Sequence, residues 1–90
     1  MALLRPSGEL DLATVEPFRR EVQAVLDGQP DELVIDLCDV SFLDSSGLAV
    51  LAAALKSQRA REAGLVLTNP QPIVQRALVL VGLGTLIGVD

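Results

Sequence analysis

The chain has 90 residues, half of them hydrophobic, with 7 basic and 12 acidic side chains and a formal net charge of −5. That size and apolar content suit one small folded domain over residues 1–90 and exclude a disordered chain. The acidic balance and the mere two aromatics, Phe18 and Phe42, exclude a basic, base-stacking nucleic-acid surface and a polybasic membrane anchor.

The first candidate element is a short strand, "ALLRP", followed by Ser7-Gly8 as a turn or bulge signal. In "TVEPFRREVQAVL", Val15, Phe18, Val22, Val25 and Leu26 share one helical face. Pro17 is tolerated only in the first turn, which makes Thr14 the expected N-cap. Asp27-Gly28 and Pro30 close this helix. "ELVIDL", Glu32 to Leu37, reads as a buried central strand, and Asp39 to Asp44 as the loop after it.

A second helix runs from about Ser46 to Glu62, with Leu48, Leu51, Ala52 and Leu55 on one face. Lys56, Arg59 and Arg61 near its end suit the helix dipole, and Gly64 stops it. Arg19, Arg20, Arg59 and Arg61 read as solvated helix faces. "LVLT" is a further buried strand, and "NPQP" opens a third helix carrying Ile73, Ala77, Leu80 and Val81. Gly82 and Gly84 stop that helix, and "TLIGV" is a candidate last strand. Strands alternating with helices across short loops imply a largely parallel sheet with right-handed crossovers.

"MALLRPSGELD" has too short an apolar run for a signal peptide. The stretch Ala77 to Val89 is interrupted by three glycines and is too short to span a bilayer. A single cysteine, Cys38, allows no internal disulfide and reads as a small buried hydrophobe. The expected setting is a reducing cytoplasm, with no membrane insertion.

Most site chemistry is missing. There is no histidine, so His-based triads and nearly all zinc sites drop out. "DSSG" lacks the first glycine of a nucleophile elbow, and no glycine-rich loop ends in Lys-Ser or Lys-Thr. Asp36, Asp39 and Asp44 do not have the spacing of a calcium loop. No cofactor, metal or enzymatic activity is expected.

The informative stretch is "FLDSSGLAVLAAAL", where an acid and two serines stand directly before an apolar helix. Asp44, Ser45 or Ser46 can cap the orphan N–H groups of the first turn. The same helix end favours an anion, so a serine there also suits a phosphate. Both readings stand at this point. Asp11, for its part, can open the turn before the first helix.

"DVSFLDSSGLAVL" together with "GELDLATVEPFRREV" resembles the STAS domain of bacterial anti-sigma factor antagonists, from Gly8 to about Gly84. The resemblance implies an α/β fold with a mixed sheet of about four strands flanked by three to four helices. It implies a protein that binds an anti-sigma factor with serine kinase activity and so frees a sigma factor. The kinase phosphorylates the antagonist and releases it, and a metal-dependent serine phosphatase resets it. Carried onto this chain, the phosphoacceptor falls on Ser45, with Ser46 second in line. Asp11, Leu43, Asp44, Ser46, Gly47 and Leu48 fall on the docking surface. The alternative within the same resemblance is a non-switching STAS subunit, as in lipid-transport ATPases or stress-signalling scaffolds. Relative to that pattern both ends are short, and an open sheet edge invites pairing, so a monomer or weak dimer is expected.

Overall fold

A computed structural model describes residues 1–88. The elements are β1 (Ala2–Leu4), β2 (Gly8–Leu10), α1 (Val15–Asp27), β3 (Glu32–Asp36), β4 (Val40–Leu43), α2 (Ser45–Ala60), β5 (Gly64–Thr68) and α3 (Pro72–Leu80). A 3-10 helix, Gly84–Leu86, follows. The α/β architecture is the expected one, but its strands divide into two parallel sheets. One has the order β1-β3-β5, and the other joins β2 to β4.

β3 is central because it is apolar on both sides of its pleat. Leu33 and Ile35 are fully buried, and Val34 is half-buried on the opposite face. Leu33 and Ile35 lie level with Leu65 and Leu67 of β5, so their side chains form one continuous layer. α2 packs on β5, α1 on β1, and the two helices pack on each other. α1 contributes Val15, Phe18 and Val22, the buried edge of its apolar stripe. Its Pro17 is the third helical residue, where a missing N–H breaks no intrahelical bond. Truncating a fully buried member such as Ile35 to Ala is worth about 2–5 kcal/mol, the lost transfer energy plus the cavity.

β2 and β4 lay hidden in segments read as turn and loop. In β4, Val40 and Leu43 point inward while Ser41 and Phe42 are exposed. A bulge causes this: Gly8 pairs with Val40 but Glu9 with Phe42, leaving Ser41 as the extra residue. The two-residue alternation that marks a strand is thereby lost. Gly8 itself has φ 79°, which a side chain would resist.

Three other expectations change. α2 begins at Ser45 rather than Ser46 and ends at Ala60, since Glu62 turns left-handed at φ 57°. "TLIGV" is mostly the 3-10 helix, with a single parallel bridge between Ile87 and Leu67; Val89 lies outside the described residues. Cys38 is half-buried, not fully so. The Gly82 stop stands: Gly82 (φ 81°) donates to the Val79 carbonyl and Leu83 to that of Leu78, the Schellman pattern. No helix among the described residues is long and apolar enough to cross a membrane.

Candidate functional site at the start of α2

The site is assembled by the pairing of β2 with β4. Leu10 lies beside Leu43, so the next residues, Asp11 and Asp44, emerge at the same edge although 33 positions apart in sequence. The Asp44 N–H donates to the Leu10 carbonyl (3.2 Å), and Asp44 Oδ2 accepts the Leu12 N–H (3.3 Å). The turn before α1 and the start of α2 are therefore tied together.

Asp44 is the N-cap of α2. Its Oδ1 accepts the Ser46 N–H at 2.7 Å, and its carbonyl accepts the Leu48 N–H at 3.0 Å. Of the three candidates for the cap, Asp44, Ser45 and Ser46, the charged side chain takes the helix end. Ser46 is half-buried, and its backbone serves the cap. Ser45, the first helical residue, is exposed, and the bonds that fix the junction run to its neighbours.

Thr14 occupies the N-cap position of α1 but does not cap forward. Its hydroxyl lies 2.6 Å from the Glu9 carbonyl and 3.0 Å from Asp11 Oδ1, and it accepts the Asp11 N–H. Asp11 organises the turn instead. Its Oδ1 accepts the N–H groups of Ala13 (2.9 Å) and Thr14 (3.1 Å), and its carbonyl accepts those of Thr14 and Val15. Asp11 thus opens the turn and also sits beside Asp44. The turn leaves Leu12 projecting, 81% exposed.

Leu43 and Gly47 are not surface residues. Leu43 is buried in the core, and Gly47 lies against β2 and β4. A Cβ on Gly47 would fall 2.8 Å from the Leu10 carbonyl oxygen and 3.1 Å from both the Leu10 and Leu43 Cβ atoms. The glycine is there because the first turn of α2 crosses the strand pair at near contact. Both residues pack beneath the first turn of α2, on which Ser45 is exposed. Leu48 is half-buried beside Ser45.

Two residues missed by the sequence reading complete the surface. Val81 and Leu83, from the turn after α3, face Ser45, Leu48, Ala49 and Ala52 across a groove of about 260 Å3. Only the apolar richness of "LVLVGLG" pointed this way, and it could not say which leucines stay exposed.

The carboxylate at the end of β3 is a separate matter. Asp36 accepts the Cys38 N–H (3.0 Å) and the Asn69 side-chain amide (3.3 Å), and it pairs with Arg5 at 3.2 Å. The Cys38 N–H, then the Cys38 thiol, Asn69 and Arg5, outweigh burial and hold Asp36 below its ordinary value. The hydrogen bond to Asp36, with burial, pushes the Cys38 thiol up, away from thiolate character. Asp36 is committed to the fold. Among the described residues no three metal-ligating side chains cluster.

The STAS domain model matches residues 1–90. The chain belongs to the STAS domain family. Its relatives there include anti-sigma factor antagonists. It is 33% identical to the anti-sigma-B factor antagonist of Listeria monocytogenes over 81 residues, 90% of this chain and 71% of that one. An anti-sigma factor antagonist structure from Mycobacterium paratuberculosis superposes with a TM-score of 0.84 at 34% identity, covering 94% and 72% of the two chains. The unphosphorylated form of the antagonist SpoIIAA superposes at 0.83 and 26% identity, covering 96% and 76%. The phosphorylated Bacillus form of SpoIIAA superposes at 0.76, also at 26% identity, covering 96% and 78%.

Proposed function

We propose that this STAS domain is a phosphorylation-switched anti-sigma factor antagonist with Ser45 as its phosphoacceptor. In the unmodified form it binds an anti-sigma factor that is a serine kinase and so frees a sigma factor. Phosphorylation of Ser45 by that kinase releases the complex, and a metal-dependent phosphatase restores the hydroxyl. The role is one of binding, with no catalytic group of its own.

The observation that carries the reading is the exposed Ser45 at the first position of a helix whose cap is already supplied by Asp44. A serine that neither caps nor packs is free for chemistry, and the helix end tolerates the added anion. The similarity to a protein known in unphosphorylated and phosphorylated forms supports the same reading. A phosphate brings roughly −1.5 to −2 charges beside Asp44 and Asp11. Binding is thereby altered without any rearrangement of the backbone.

The test is capture from the source lysate on wild-type, Ser45→Ala and Ser45→Asp baits, with bound proteins identified by mass spectrometry. Wild type and Ser45→Ala retain an ATPase-domain kinase, and Ser45→Asp loses it. Retention of one partner by all three baits would instead mean a fixed, non-switching STAS subunit.

A further inference from the structure

The apolar groove beside Ser45 has no role in the fold described so far. One wall is the exposed flank of α2, where Ala49 and Ala52 are small enough to leave a depression next to half-buried Leu48. The other wall is Val81 and Leu83. The Schellman turn explains that wall. Leu83 must turn inward to close the helix and is 6% exposed, while Val81, just before Gly82, is left 53% exposed. Leu80 beside it is 80% exposed. Helix termination needs Gly82 and Leu83; it does not need Leu80 or Val81 to be apolar.

Among the six lining residues none is charged, and the Ser45 side chain is the only polar one. At about 260 Å3 the groove falls below the roughly 300–1,000 Å3 of ordinary small-molecule sites, and it suits an inserted side chain better than a cofactor. On the other flank of the α2 start stands Leu12, 81% exposed and held by Asp44. On its groove side the hydroxyl of Ser45 therefore borders an apolar surface of the kind that marks a protein contact.

We propose that the groove between α2 and the turn after α3 seats an apolar side chain of the anti-sigma factor, and that a phosphate on Ser45 evicts it by placing a dianion at the groove mouth. The proposal rests on Ser45 being the switch. Its occupant follows from continuity: a protein that phosphorylates Ser45 must touch Ser45, and that residue is part of the groove. Closing an apolar side chain over a dianion strips the dianion of water, and nothing lining the groove can pair with it. Coupling between modification and binding is then chiefly a matter of desolvation.

The experiment uses the full chain and, as probe, the purified kinase recovered on the Ser45→Ala bait. Its affinity is measured by calorimetry for wild type, Val81→Asp, Val81→Leu, Ala52→Glu and Ser45→Asp. Val81→Asp and Ala52→Glu each put a charge on a groove wall without touching Ser45. Each weakens binding by roughly 5- to 150-fold, the usual range of coupling, while Val81→Leu binds as wild type does. Ala52 is exposed on a helix, so Ala52→Glu folds even where Val81→Asp does not, and thermal melts check both. The loss caused by Ser45→Asp persists when salt is raised from about 0.01 to 1 M, which shortens the screening length from about 30 to 3 Å.

Wild-type affinity in folded Val81→Asp and Ala52→Glu, with Ser45→Asp still defective, overturns the groove and leaves the switch standing. A Ser45→Asp defect that salt abolishes overturns the desolvation mechanism. Wild-type affinity in Ser45→Asp overturns the switch itself. Sedimentation showing a wild-type dimer that Val81→Asp dissociates assigns the groove to a second copy and overturns the proposed occupant.

Discussion

The two ends of α2 are built on opposite plans. At the C-terminal end, Gln58 is 1% exposed, and its amide donates to the carbonyls of Pro30 (3.1 Å) and Gly64 (2.9 Å). Arg61 donates to Gln58 Oε1, to the Pro30 carbonyl and to the Gln29 carbonyl at 2.8 Å. These bonds lock the turn after α1, the end of α2 and the start of β5 together. Arg61, read from sequence as a solvated face, is a structural clamp. At the N-terminal end, Asp44 alone supplies the side-chain cap, and Ser45 and the groove beyond it face outward. One end closes the fold; the other leaves apolar surface and a hydroxyl uncommitted. A region where the fold has no use for its exposed groups is where a partner should be sought.

The contrast is broken most severely at the closed end. Gln58→Ala removes the amide's bonds to the Pro30 and Gly64 carbonyls, leaving Pro30 only its bond from Arg61, and opens a cavity at a fully buried side chain, so chemical denaturation should show a loss of about 3 kcal/mol. Gly47→Ala strikes the support beneath the open end, pressing a methyl onto the Leu10 carbonyl, and costs about 2 kcal/mol by the same measurement. Asp44→Ala removes the cap and one tie to the Leu12 turn for about 1 kcal/mol.

Asp36 offers a smaller test by pH. Its pKa is depressed on folding, so its contribution is present above the unfolded value near 3.8 and disappears as pH falls through the lower folded value. Melting temperature should therefore drop on acidification below about pH 4 more steeply in wild type than in Asp36→Asn. Ser45→Ala should be the mildest, within about 0.5 kcal/mol of wild type, because the serine is exposed and does not cap. A loss of 1 kcal/mol or more there, the scale of a missing cap, would return Ser45 to a purely structural role.

Periodicity made α1, β3 and β5 legible and located α2 and α3, but it chose the wrong face of α3: Ile73, Leu80 and Val81 are exposed while Val74 and Leu78 are buried, and Ala52, read on the buried face of α2, is exposed too. It failed for β4, where the Ser41 bulge breaks alternation, and for β2, which is three residues long. It failed too at "TLIGV", whose apolar run is satisfied by one bridge and a 3-10 helix. Within the site, Asp44 was readable as a candidate cap because capping chemistry is local. The inward roles of Leu43 and Gly47 were not, because they depend on how closely α2 crosses β2, a contact between residues more than thirty positions apart. The Val81 wall was illegible for the same reason. Exposure is a property of the assembled fold.

The measurement closest to the central claim is calorimetric titration of the captured kinase into unmodified and enzymatically phosphorylated protein, with the phosphate mapped by mass spectrometry. The account predicts tight binding to the unmodified form, phosphate on Ser45 alone, and a loss of affinity with unchanged folding. Equal affinity for the two forms, or a phosphate mapped to Ser46, would contradict it.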